Sequence, residues 1–298
     1  MFYSLFTMLM FGLSSICYKI FYSFGLNADS ICFYASLFPV ASLFCYKFFR
    51  EKNFKFLKIS RKDFLISFIG VGIMGLFLVN FSIAAALRHI PTGIQQLITN
   101  SSPAALMLVE FIIFRQAPKK FDALSSALIF VGLYFLVGDI ALGSDKNTVI
   151  GLIFCFVSLF GVVNYSTILG KYPANCDEIS FWLYSFLGYF FGISMKLLLT
   201  GGISPIVFLG SSGQFGFVFA ATLLSCAAPY ITSRRGIGAV GLIKHQIIIA
   251  LAPIVSMILG VILFGEKITC PQLFGAFLIL VSPLLPIFFG RSRKSGNA

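Results

Sequence analysis

From Phe2 to Phe289 the chain is a succession of apolar stretches separated by short polar breaks, and each stretch is about as long as a bilayer's hydrocarbon core is thick. A helix needs about 20 apolar residues to cross that core. Ten stretches meet the requirement: Phe2–Phe21, Ser30–Phe49, Phe64–Leu87, Pro91–Phe114, Phe121–Gly138, Val149–Gly170, Ile179–Leu199, Gln214–Ser233, Val240–Phe264 and Cys270–Phe289. With 58% hydrophobic and 11% charged residues, the 298-residue chain has too little polar material to coat a soluble globule. Strands of a membrane barrel would be about ten residues long and alternate in polarity, which these are not. The first stretch has no basic residue before it and no small-residue cleavage motif behind it, so it reads as a retained helix rather than a signal peptide.

The net charge of +12 is sorted by membrane side rather than gathered on one nucleic-acid-binding domain. Lys and Arg crowd the connections after even-numbered stretches and the tail, among them Arg50, Lys52, Arg61, Lys62, Arg115, Lys120, Arg234, Arg235 and Arg291. The odd-numbered connections hold only Arg88, Lys146 and Lys267. That asymmetry predicts both termini in the cytoplasm. Lys19, Lys47, Lys196 and Lys244 lie near stretch ends, where a flexible stem can lift the ammonium to the interface. The seven cysteines form no CxxC pair and no cluster with histidine, so neither a metal site, a cofactor nor a disulfide framework is expected.

The chain also repeats itself. Shifting Ala86 to Leu133 forward by 150 positions lays it without a gap on Gly236 to Pro283, matching Gln96 with Gln246, Pro103 with Pro253, Met107 with Met257 and Phe114 with Phe264. Because five helices per half is an odd number, the second copy must enter the membrane from the opposite side. The expected fold is therefore an all-α integral membrane protein of ten transmembrane helices, two inverted five-helix repeats. Residues 1–140 and 149–290 form the halves, and 291–298 a basic tail.

In the fourth stretch Gln96, Asn100, Pro103, Met107 and Glu110 are spaced as one helix face. Pro103 frees the carbonyl four residues back, and polar groups in hydrocarbon avoid lipid, so this face is expected to line a cavity. Simple interhelical bonding, at about 0.6 kcal/mol per group, is the plainer alternative. Glu110 is the candidate to carry a coupling proton, with Pro103 and Pro253 as gating positions. Further substrate-binding candidates are Ser15, Lys19, Asn80, Asn164, Tyr165, Tyr189 and Tyr230. Lys19 is suited to a substrate carboxylate or to the outer interface, and Tyr189 to stacking on a planar or cationic substrate. Trp182, near a stretch start, reads as an interface anchor. Of two glycine runs that match a dinucleotide fingerprint, Gly70 to Gly75 lies within an apolar helix and reads as close packing. The run Gly236 to Gly241 reads as a flexible turn.

These features resemble the drug/metabolite transporter superfamily, in its ten-helix EamA type. The resemblance rests on Ala86-Leu87-Arg88-His89-Ile90-Pro91-Thr92-Gly93 and Ser102-Pro103, then on Ala252-Pro253, Phe264-Gly265-Glu266-Lys267 and Gln272-Leu273-Phe274-Gly275-Ala276. Gln116 stands where the second half has Glu266. The resemblance implies that helices one to four and six to nine surround a path for small organic metabolites, with five and ten outside it. The expected activity is secondary transport or exchange of a small polar or zwitterionic metabolite, an amino acid or an S-adenosylmethionine-like compound, by alternating access. Proton coupling, counter-substrate exchange and homodimer formation stay open. The 37 phenylalanines and the excess of lysine over arginine hint at an AT-rich genome, as in host-dependent bacteria; the expected location is a bacterial inner (plasma) membrane. An intramembrane enzyme acting on a lipid-linked substrate is the rival, but the two histidines, His89 and His245, lie near opposite faces. A non-transporting structural subunit is a third reading.

Overall fold

The computed structural model describes residues 1–51, 59–112, 115, 120–141, 146–171, 177–201, 206–240, 245 and 248–285. These are almost wholly helical, and no strand occurs among them. In chain order they form α1 (Phe2–Ser23), α2 (Ala28–Glu51), α3 (Arg61–Ala86), a broken α4 (Thr92–Thr99, then Ser102–Ile112) and α5 (Lys120–Ala141). There follow α6 (Lys146–Lys171), α7 (Glu178–Leu199), α8 (Ser212–Val240), α9 (Ala252–Phe264) and α10 (Cys270–Val281). By length and composition six of them, α1, α2, α3, α6, α7 and α8, can cross a membrane. Their outward faces carry exposed large apolar groups such as Leu65, Phe160, Leu198 and Phe215, as a lipid-facing surface requires.

Helix breaks recur at the repeat interval. α3 and α8 each contain a π-helical stretch, Leu65–Phe77 and Leu223–Ala227, and α-helix resumes at Leu78 and Ala228. Pro103 and Pro253 cannot donate to the preceding turn. Around them Ser101 N–H bonds Ile98 O (3.2 Å) and Ala104 N–H bonds Ser101 O (3.1 Å); Leu251 to Ile248 and Ile254 to Leu251 repeat the pattern at 3.2 and 3.1 Å. Helix then restarts at Ser102 and Ala252. Left-handed residues follow at Arg115 (φ 52°) and Gly265 (φ 62°), and the next helices start at Lys120 and Cys270.

Two groups of helices emerge from the packing. α3 packs on α6 and α7, and α4 on α6; correspondingly α8 packs on α1 and α2, and α9 on α1. The groups meet where α2 lies on α7 and where α4 lies on α9, while α5 and α10 pair with each other. Close approach depends on glycine. A Cβ on Gly72 would sit 2.5 Å from the Ser185 carbonyl oxygen and one on Gly132 2.7 Å from that of Gly275, so the first fingerprint-like run is indeed helix packing. The second run is not a turn: α8 continues through Gly236 to Val240, with Gly236 against His245. Trp182 is likewise not at the interface, being fully buried beside Phe181, Phe186 and Tyr230. Periodicity gives a face, not the neighbour that covers it.

Candidate functional site

Between the two groups lies a cavity of about 40 Å³ lined from α1, α3, α4, α6, α8 and the segment before α9, with Asn80, Gln96, Asn100, Tyr165 and Tyr230 among its polar groups. Its floor is a hydrogen-bond lattice. Tyr18 Oη donates to Asn80 Oδ1 (2.8 Å), and Asn80 Nδ2 donates to Leu76 O (2.7 Å) and Tyr230 Oη (3.2 Å). Gln96 Nε2 reaches Phe11 O (2.9 Å) and Ser15 Oγ (2.7 Å), while Asn100 Nδ2 donates to Gln96 Oε1 (2.7 Å). Ser15 Oγ in turn donates to Gln95 Oε1 (2.6 Å), and Gln95 Nε2 to Thr99 Oγ1 (2.9 Å). Fixed amides of this kind hold their orientation because each alternative would leave a buried polar group unpaired. No charged side chain occurs among the described lining residues.

Small-molecule sites run to about 300 Å³ or more. The cavity has room for a few waters and falls well short of a small-molecule site.

Ionic contacts lie near the helix ends on both sides. We call odd the face bearing the connections after odd-numbered helices, and even its opposite. On the odd face Glu266, in the turn after α9, accepts from Thr92 N–H (3.0 and 3.1 Å), Thr92 Oγ1 (2.8 Å) and Lys19 Nζ (2.5 Å). Asp29 binds Lys196 with both oxygens, at 2.5 and 2.7 Å. On the even face Lys47 pairs with Asp177 (2.8 Å) and Arg235 with Glu178 (3.1 Å). Asp177 also caps α7, accepting from the amides of Ile179 and Ser180. Burial works against its carboxylate, but Lys47 and those amides outweigh it and hold the pKa below the usual value. A lowered carboxyl pKa contributes stability above the unfolded value and loses it only as pH falls through the lowered one, so this pair stays ionic at neutral pH.

The structure gathers Asn80, Gln96, Asn100, Tyr165 and Tyr230 at the cavity and puts Ser15 directly behind Gln96. Tyr189 lies instead in the packed core against Phe77, fully buried, and Asn164 is spent on the Gly70 carbonyl (2.9 Å). Lys19 and Lys196 do not reach free for the interface, since each meets an acid. The α4 stripe is interrupted: its break at Asn100 and Ser101 leaves Gln96 and Asn100 on the cavity, while Met107 turns to Ser126 of α5. The Glu110 side chain, Gln116 and Gln246 lie outside the described residues. Sequence reasoning missed Tyr18, Gln95 and both acids of α2 and α7. The one available signal was an acid at each helix start facing a lysine near the other helix's end.

A helical fold of this kind, with apolar outer faces around a polar internal cavity, defines an integral membrane protein. Residues 1–138, a little under half of the chain, match the EamA-like transporter family. A solved crystal structure aligns with 98% of this chain and 98% of its own length at a TM-score of 0.69; at 14% identity the likeness is one of fold. No curated protein matches the chain.

Proposed function

We propose that the protein is a secondary active transporter or exchanger that moves a small polar or zwitterionic metabolite by alternating access. Ten transmembrane helices in two inverted repeats would enclose its site. The inversion is supported by the breaks that recur at 150 residues and by the packing. Exchanging α1 with α6, α2 with α7, α3 with α8, α4 with α9 and α5 with α10 turns each principal helix contact into another that is present. The observation that carries the function is a small, uncharged, amide-rich cavity between the two helix groups, lined from both sequence halves. With no counter-ion in its described lining, it favours a solute whose charges balance internally, which amino acids and S-adenosylmethionine-like compounds approach. Tyr165 and Tyr230 add ring faces. Pro103 and Pro253, each at a helix restart, are natural pivots, and Glu110 is the group whose replacement by Gln tests for proton coupling.

Counterflow in proteoliposomes against labelled amino acids, nucleosides and S-adenosylmethionine tests the reading. Saturable exchange of one compound is expected. Chemical conversion of a compound would identify an enzyme instead, and neither outcome would leave a structural subunit. With the exchanged compound in hand, Tyr230→Phe removes one hydroxyl while Asn80 Nδ2 keeps its bond to Leu76 O. The expected result is about a five-fold loss of apparent affinity, the worth of one hydrogen bond of about 1 kcal/mol.

A further inference from the structure

We infer that the pairs Asp29–Lys196 and Lys47–Asp177 are a matched set of latches, one at each face, that release in alternation as the cavity opens to that face. The inference rests on the transport reading above and adds the residues that govern its gating.

α2 begins beside Asp29 and ends beyond Lys47, whereas α7 begins after Asp177 and ends beyond Lys196. Asp29 meets Lys196 at one end, and Asp177 meets Lys47 at the other, so the two helices lie antiparallel and are clamped at both ends. The clamps are copies of one another. Each joins an acid at the start of one helix to a lysine near the end of the other, and exchanging the two helices exchanges the pairs. α2 packs with α8, and α7 with α3, so each clamp ties one helix group to the other across the cavity boundary.

Opening at the odd face must separate Asp29 from Lys196. The Lys47–Asp177 pair can meanwhile persist, and the converse holds at the even face. Both pairs are formed in this structure. Releasing both at once would open a continuous path and dissipate any gradient. The surroundings also suit a contact that breaks and re-forms. Asp177 is 54% exposed and Lys196 28% exposed, so at each end one partner has water available when the pair parts. The odd-face pair further lines a surface hollow of about 260 Å³ with Asn27, Arg88 and His89, where water can take its place.

Ser102 lines the cavity, and as Ser102→Cys it reports access when oriented vesicles are treated from either face with a membrane-impermeant thiol reagent. Peptide-resolved mass spectrometry reads the modification. In this background Asp29→Asn should raise the labelling rate from the odd face at least ten-fold and leave even-face labelling unchanged. Asp177→Asn should do the reverse. Asp29→Lys combined with Lys196→Asp should return odd-face labelling to its starting rate. Labelling that rises equally from both faces, or not at all in protein that elutes as a single species, overturns the latches. So does a swapped pair that folds without restoring closure. Should Asp29→Asn not survive solubilisation, Lys196→Gln replaces it with the same expected results. The two proposals fail separately: face-specific labelling without any counterflow would sink the transport reading, and counterflow with indifferent labelling would sink the latches.

Discussion

Gly188→Leu is expected to abolish monodisperse protein in mild detergent, whereas Gly216→Leu should purify like the parent chain. Gly188 sits where α7 crosses α3. An added Cβ there would overlap the carbonyl of Phe68 and press on the Gly72 backbone, and a Cβ on Gly72 would press back on Ser185 and Gly188. Both obstacles are backbone, so no rotamer change relieves them and the helices must move apart. Overpacking a core costs about 1–3 kcal/mol when side chains can adjust. Here the cost should reach or exceed the upper figure, since the α3–α7 contact is among the most extensive between the described helices. Gly216, on α8, has nothing within 4 Å of an added Cβ. Size-exclusion profiles of the two variants provide the comparison, and equal profiles would show that the α3–α7 crossing tolerates separation.

The second large effect concerns Glu266. Its carboxylate is 7% exposed in side-chain terms and holds four contacts, three to Thr92 and one to Lys19. Gly260 leaves the space in which it folds back, because a Cβ there would collide with the Glu266 carboxylate and the Thr92 hydroxyl. Glu266→Ala leaves the Thr92 amide without its acceptors and Lys19 without its acid. Breaking a buried pair costs about 3–5 kcal/mol. Lys19 is 27% exposed and can turn to water, so about 2–3 kcal/mol is expected. Glu266→Gln keeps an acceptor for Thr92 and should lose less than half as much. Thermal unfolding in detergent at neutral pH measures both. If Ala and Gln variants melt together, the carboxylate's charge and not its hydrogen bonding is what matters.

Sequence reasoning reached furthest where the chain punctuates itself. Pro103 and Pro253 interrupt the backbone ladder whatever surrounds them, and the structure breaks both helices there at matching positions. Gln96, Asn100, Asn80 and Tyr230 were legible because an amide or phenol at membrane depth has few places to go other than a polar cavity. What stayed hidden depends on partners far along the chain. Residue type offered Trp182 as an interface anchor and Tyr189 as a stacking group but could not reveal that other aromatic side chains cover both. Nor could it pair Lys47 with Asp177, since that requires knowing that α2 and α7 run side by side. Glu266 stood out in the sequence by its contrast with Gln116, yet its hold on Thr92 follows from the fold alone.

For the proposed transporter, a chamber with room for only a few waters bears on how fast a solute is captured. On the proposed transport cycle entry waits for an open form, so the observed dissociation constant is the intrinsic one divided by that form's share of the ensemble. If opening precedes capture, association rates should level off as solute concentration rises, at a ceiling equal to the opening rate. A compound that wedges one mouth ajar would then speed uptake from that side without touching the interior groups at all.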